Sequence, residues 1–283
     1  MAAKVVETGG YTFHVRCVAG IESCCYVDAI NVAFDLGCLI DRVVNISHVF
    51  ITHGHIDHVG AFVAHAARRA LNKQKPAQYF VPAHLVPHLK IIFKATAAMQ
   101  GDAPFPIHIV PLRAFDEVHV SPKYVVRAVP TMHRVPSLGY IVYEKKNRLK
   151  PEYRLLPDQE IAALKRSGHV ITIVELTPEI AYTGDTTIEA FTTAEDDERT
   201  MDLLRVKVLI TEATYADSKM TIQDAVDRGH MHLDQFATHE HLFQQVGALV
   251  LVHFSARYTV EELIECMKAR VPISLQQKTI LGC

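Results

Sequence analysis

Short apolar, β-branched runs recur along the chain at 32–34, 49–51, 124–126, 140–143, 170–174, 180–182, 206–210 and 249–252. Each is a few residues long and bounded by polar or turn residues, the pattern of strands buried on both faces. The period changes after His58, where Val59, Phe62, Val63, Ala66 and Ala70 follow i, i+3, i+4, i+7 spacing and predict one face of a helix. Helices are also expected over 222–246 and 259–269, the second capped by Thr259 with acidic residues in its first turn. A short helix over 157–167 is closed by Gly168. Strands interleaved with helices imply a layered α/β domain. No repeat, low-complexity tract or linker divides 1–283, so a single domain is expected.

Apolar residues make up 49% and charged residues 21%, which excludes a disordered, collagen-like or coiled-coil chain. No window approaches the run of about 18 uncharged apolar residues that a membrane span needs. The start, Met1-Ala2-Ala3-Lys4-Val5-Val6-Glu7, lacks the apolar centre of a secretory signal. The expected location is intracellular, in cytoplasm or nucleus, with no membrane association. The six cysteines (17, 24, 25, 38, 266 and 283) form no Cys-x-x-Cys pair and read as buried or free thiols.

The net charge of −2 excludes a globally basic nucleic-acid binder but not a local basic patch. Such a patch exists. Residues 144–168 carry Lys145, Lys146, Arg148, Lys150, Arg154, Lys165 and Arg166 against four acidic side chains, a local charge of +3 in a chain that is otherwise −5. On composition alone this is either a solvated hairpin or loop, or a binding arm.

Histidine, at 17 residues, is unusually abundant. Imidazole is the commonest protein ligand for transition metals. Thr52-His53-Gly54-His55-Ile56-Asp57-His58 sits between a predicted strand and a predicted helix, where a tight turn would let three imidazoles and a carboxylate converge. Such N and O ligands suit zinc, and also iron or manganese. His133, Asp185 and His253 each stand where an apolar run stops, at one rim of a sheet, the place where open α/β folds assemble sites. His65, His84, His88, His108, His119 and His169 lack such settings, and His239 and His241 read as surface positions of a helix.

His-x-His-x-Asp-His followed by isolated His, Gly-Asp-Thr and His resembles the metallo-β-lactamase superfamily. His133-x-x-x-Ser137-x-Gly139-Tyr140, Thr183-Gly184-Asp185-Thr186, Glu212-Ala213-Thr214-Tyr215, Gly229-His230 and His253-Phe254-Ser255-Ala256-Arg257-Tyr258 narrow the resemblance to the tRNase Z family, in its short, plant-like form. It extends over residues 20–260. The chain departs from the family at Asp35-Leu36-Gly37-Cys38-Leu39, which keeps only the Asp and one Gly, at Val59-Gly60-Ala61-Phe62, at Thr211 where a His is usual, and in lacking the long Gly-Pro exosite. These departures leave the metal positions intact and bear on substrate grip.

The resemblance implies a four-layer αββα sandwich with a short basic arm, 144–175, inserted as a candidate tRNA-binding element. It implies two zinc ions per subunit, with Mn2+ or Fe2+ as alternatives. One would take His53, His55 and His133, the other Asp57, His58 and His253, with Asp185 bridging. Such a pair lowers the pKa of a water for in-line attack on a phosphodiester. Asp57 would also orient or deprotonate that nucleophile, while His230, held by Glu212, would protonate the leaving 3′-oxygen, with His232 as its rival. Ser137, Thr186, Arg257, Lys145, Lys146, Arg148 and Lys150 are candidate substrate contacts. The implied activity is a zinc-dependent endoribonuclease that removes the 3′ trailer from pre-tRNA and leaves a 3′-hydroxyl, acting as a homodimer. Two alternatives are a phosphodiesterase or thioesterase of the same fold acting on a small substrate, and an RNA-binding scaffold without activity.

Overall fold

The computed structural model describes residues 3–40, 42–101 and 105–283. The first sheet runs in spatial order β1 (Lys4–Thr8), β2 (Tyr11–Ala19), β3 (Glu22–Val27), β4 (Val32–Phe34), β5 (His48–Phe50), β6 (Gln78–Pro82) and β7 (His108–Leu112). The second is built from β8 (Glu117–His119), β9 (Tyr124–Thr131), β10 (Ser137–Leu149), β11 (Thr172–Tyr182), β12 (Val208–Glu212) and β13 (Ala248–Val252). Beyond it β14 (Phe254–Ser255) crosses back to pair with β2, and β15 (Thr279–Leu281) closes the second sheet beside β13. Strands β4 to β7 run parallel, as do β11, β12, β13 and β15, so the carboxyl ends of both parallel sets supply loops to one rim.

The two-residue period of the strands sorts their side chains into layers. Phe34, Phe50, Tyr140, Val142, Val208 and Ile210 fill the space between the sheets. Their neighbours Ala33, Val49 and Ile51 face outward into a second cluster, where α1 (Ile56–Val59), α2 (Phe62–Leu71) and α3 (Val86–Met99) cover the first sheet. Ile141, Tyr143 and Leu209 face a third cluster outside the second sheet. Of the remaining helices, α5 (Glu189–Glu195), α7 (Asp234–Thr238), α8 (Val260–Arg270) and α9 (Ile273–Gln276) place residues in that cluster, α6 (Ile222–Asp227) lies between β12 and α7 along the chain, and α4 (Asp158–Arg166) caps a hairpin. Helices, sheet, sheet and helices make the four-layer sandwich.

Several expected elements change shape. The runs 170–174 and 180–182 are two parts of one strand, β11, whose outer half is exposed and whose inner half is buried. An exposed stretch needs no apolar alternation, so the polar residues between the runs read falsely as a break. That outer half pairs with the outer half of β10, and α4 sits at the tip with no buried residue. The basic segment is therefore a hairpin projecting from the sheet. The helix after His58 is interrupted at Gly60-Ala61, where Ala61 donates its N–H to Leu36 O. Residues 222–246 form α6, α7 and a single turn at Glu240–Phe243 instead of one helix. Gly229, at φ +76°, breaks the first from the second. At α8 the expected cap is present: Thr259 accepts from Glu262 N, and Glu262 reciprocates on Thr259 N.

Candidate functional site

Beyond β5 the chain turns and delivers His53, His55, Asp57 and His58 to the rim, and β9, β11 and β13 bring His133, Asp185 and His253 to the same point. His53, His55, His133 and Asp185 form one group of converging ligand atoms, and Asp57, His58 and His253 form a second. In the first, His55 Nδ1 lies 3.0 Å from His53 Nε2 and 3.3 Å from His133 Nε2. In the second, His253 Nε2 lies 3.4 Å from His58 Nε2 and 3.5 Å from Asp57 Oδ2. Asp185 stands between them. Its Oδ1 is 3.2 Å from His58 and 3.3 Å from His253, while its Oδ2 is 3.7 Å from His53 and 3.8 Å from His133.

These distances fit a pair of divalent ions. Nitrogen ligands about 2.0–2.1 Å from a tetrahedral metal stand about 3.3 Å from one another. Asp185 Oδ1 is buried and makes no hydrogen bond, although two imidazole nitrogens face it. An orphaned buried carboxylate oxygen is costly unless a cation satisfies it.

The surrounding hydrogen bonds turn the correct nitrogens inward. His58 Nδ1 is 2.8 Å from Asp35 Oδ2 and His133 Nδ1 is 2.6 Å from Gly229 O. Both partners are acceptors, so both rings carry a proton on Nδ1 and turn Nε2 towards the site; burial acts to lower the His58 pKa, but Asp185 and Asp35 raise it well above the ordinary value. Thr52 donates its hydroxyl to Asp35, so at 3.0 Å it accepts from His53 Nδ1. Outer partners of this kind fix ring orientation in metal sites. Asp35 also accepts from Thr52 N and Tyr182 OH, and it adopts φ +58°. His253 is likewise left-handed at φ +59°. Non-glycine residues enter that region only when the surroundings hold them there. Here His253 sits where the chain passes from β13 in one sheet to β14 in the other.

Burial drives His53, His55 and His133 towards the neutral, ligating imidazole. Burial alone would raise the Asp57 carboxyl, but His253, 3.5 Å away, and the charge of His58 hold it at about 2. Asp57 Oδ2 also accepts from Gly20 N at 2.9 Å.

His230 lies beside this cluster, 4.0 Å from Asp185 Oδ2, with Nδ1 2.9 Å from Glu212 Oε1. Burial acts to lower its pKa, but the charge and hydrogen bond of Glu212 outweigh it and raise it to about 9. Glu212 is fully buried and accepts from Thr186 N and His230 on Oε1, and from Thr214 Oγ1 and Met231 N on Oε2. His232 is placed differently. Its Nε2 donates to Asp217 O at 2.8 Å and its Nδ1 accepts from Asp234 N at 3.1 Å, so both ring nitrogens are engaged away from the cluster.

The candidate substrate contacts divide. Thr186 is fully buried, and its hydroxyl accepts from Met132 N and donates to Thr187 O; it supports Glu212 instead of facing a substrate. The Ser137 hydroxyl is engaged with Thr131, 2.7 Å from its Oγ1. Arg257 is exposed and lies over the rings of Tyr215 and Tyr258. On the hairpin, Lys145 donates to His119, Lys146 pairs with Glu144 and Glu179, and Arg148 pairs with Glu175. Lys150, Lys165 and Arg166 make no ion pair among the described residues. Among the histidines without ligand settings, His65 is buried and bridges Tyr79 OH and Val43 O. Sequence reasoning gave no role to Asp35, Thr52 or Thr214. The one available signal was that Thr52 and Thr214 lie within the motifs that carry the ligands and Glu212.

Residues 33–254 match the Beta-lactamase superfamily domain. The chain is 35% identical to the tRNase Z TRZ1 of Arabidopsis thaliana over 95% of this chain and 94% of that protein. It is 35% identical to the chloroplastic tRNase Z TRZ2 of the same plant, over 93% of this chain and 73% of that one. Its fold resembles the short form of human tRNase Z, with a TM-score of 0.53 at 20% identity over 99% and 92% of the two chains. A metallo-beta-lactamase fold protein from Bacillus subtilis superposes with a TM-score of 0.61 at 13% identity, over 95% and 94%. No described helix is long and apolar enough to cross a membrane.

Proposed function

The chain belongs to the tRNase Z family of the β-lactamase superfamily, and from that premise we propose that it is a tRNA 3′-processing endoribonuclease. It hydrolyses the phosphodiester that joins the tRNA to its 3′ trailer, leaving a 3′-hydroxyl on the tRNA and a 5′-phosphate on the trailer. The observation that carries this reading is the half-buried His230 held by buried Glu212 and set against the seven-residue ligand cluster. A small-substrate hydrolase finds no support in relatives that bear tRNase Z and ribonuclease Z names.

His53, His55 and His133 would hold one zinc ion, Asp57, His58 and His253 the other, and Asp185 would touch both. Two such ions lower the pKa of a water and neutralise phosphate oxygens. The protein's own groups do the rest. Asp57, fixed by Gly20 N–H and held at about 2, orients the attacking water. As the P–O3′ bond breaks, the 3′-oxygen needs a proton. The His230 ring keeps its Nδ1 proton on Glu212 and gives the one on Nε2. Glu212 cannot leave its place, because four donors hold it.

The pre-tRNA is gripped by shape and phosphate contacts. We assign that grip to the projecting hairpin at 144–175 and to Arg257, in a homodimer where one protomer's hairpin serves RNA bound at the other. The compartment that fits this reading is cytoplasm or nucleus. The test is incubation with a 3′-extended pre-tRNA and an equally long unstructured RNA, with and without chelator. Chelator-sensitive cleavage of the pre-tRNA alone is expected. Cleavage of neither RNA with zinc supplied, or equal cleavage of both, would overturn the reading.

A further inference from the structure

Thr214 lies at the meeting point of the two halves of the site. Its Oγ1 is 2.5 Å from Glu212 Oε2, 3.2 Å from His253 Nδ1 and 3.4 Å from His230 Nδ1. It is buried. A hydroxyl has one proton. Glu212 is an ionised acceptor with donors on all sides, so that proton goes to Oε2. Towards His253 the hydroxyl can then only accept.

We infer that Thr214 is a positioning residue that sets the tautomer of His253 and ties this metal ligand to the His230–Glu212 pair. With a ring proton held on Nδ1, Nε2 of His253 faces Asp185 Oδ1 and Asp57 Oδ2 and is free to give its lone pair to a metal ion held among them. The opposite side of the site repeats the device. Thr52 donates to Asp35 and accepts from His53, and Asp35 also takes the proton of His58. There the carboxylate serves two metal ligands. Glu212 instead serves one metal ligand, through Thr214, and the proton donor His230 directly. One buried carboxylate therefore orients both, and their relative placement is set by the reach of a single threonine side chain.

The inference rests on the reading of the cluster as a metal site, and its test needs no RNA. Zinc-loaded wild-type, Thr214→Val and Thr214→Ser proteins are titrated against a competing chelator, with thermal melts confirming that each is folded. Val keeps the shape and loses the hydroxyl, while Ser keeps the hydroxyl and loses the methyl. Thr214→Val should lose about 10- to 100-fold in zinc affinity, the usual effect of removing an outer partner of a ligand. Thr214→Ser should stay within about 3-fold by the same reasoning. A Val variant that holds zinc as tightly as wild type, or a Ser variant as weakened as the Val variant, would overturn the inference. Should Thr214→Val fail to fold, Thr214→Ala takes its place in the same titration, with the same loss expected and the same outcomes decisive. A wild-type chain that retains no zinc would overturn both this inference and the metal reading beneath it, whereas zinc binding without RNA cleavage would leave this one standing.

Discussion

The carbonyl of Gly229 lies 2.6 Å from His133 Nδ1, across 96 residues of sequence. The Gly-His pair thus has two functions. Its histidine faces Glu212, and its glycine orients His133, a proposed metal ligand. A side chain at 229 would strain the backbone, at φ +76°, and would place its Cβ 2.7 Å from His133 Nδ1. Left-handed backbone costs an L residue about 1–2 kcal/mol before any clash. Gly229→Ala should therefore lower zinc affinity and kcat together, each by about 10-fold or more if His133 loses its outer partner. Normal zinc content with normal turnover would contradict the role given to this turn.

His230 and His232 should separate cleanly. His230→Asn removes the proposed proton donor and should lower kcat by about 100- to 10,000-fold with little change in KM. His232→Asn disturbs a buried structural imidazole. It should reduce stability by about 1–3 kcal/mol and leave kcat within a few-fold. Steady-state kinetics beside urea unfolding of both variants gives the comparison, and the reverse pattern would reassign the donor.

His65 makes stability depend on pH. Burial lowers its pKa to about 4, below the ordinary 6.5, and it is held neutral between Tyr79 OH and Val43 O. Because the unfolded chain binds this proton more readily, the contribution is fully present above pH 6.5 and is lost as pH falls towards 4. The full effect is on the order of 3 kcal/mol. His65→Gln should flatten this part of the profile, read as the difference between wild-type and variant urea midpoints at pH 7.5 and pH 5. An unchanged difference would show that the site does not titrate in this window.

The hairpin's charges should not contribute equally. Lys145, Lys146 and Arg148 have partners on the sheet, whereas Lys150, Lys165 and Arg166 project without ion pairs among the described residues. Neutralising the second set should weaken pre-tRNA binding more than neutralising the first. It should also reduce the slope of log affinity against log salt by about 0.7–0.9 for each RNA phosphate left without its cation. Hydrolysis of a small phosphodiester should be unaffected, and an equal loss on both substrates would make the hairpin structural.

Much of this protein is a local matter, and the sequence carries it. The period of two in 32–34, 140–143 and 206–210 decides which side chains enter the space between the sheets. The convergence of the candidate ligands is legible because strand ends are marked by the stop of an apolar run, and His133, Asp185 and His253 each stand just past one. Thr259 declares a helix start within four residues. What the tertiary structure alone decides is non-local. The polar outer half of β11 is a strand because β10 pairs with it, and no apolar periodicity marks a hairpin bathed in solvent on both sides. The helix expected over 222–246 gives way at Gly229, whose left-handed backbone turns its carbonyl to His133. Thr186 bears a motif residue's name but lies buried behind Glu212. Asp35 meets Tyr182 across 147 positions and Thr214 meets His253 across 39. Periodicity and motif report which residues can serve as ligands. Which nitrogen of each imidazole faces the site depends on one donor and one acceptor brought together by the packed sheets, and that relation exists only in the folded chain.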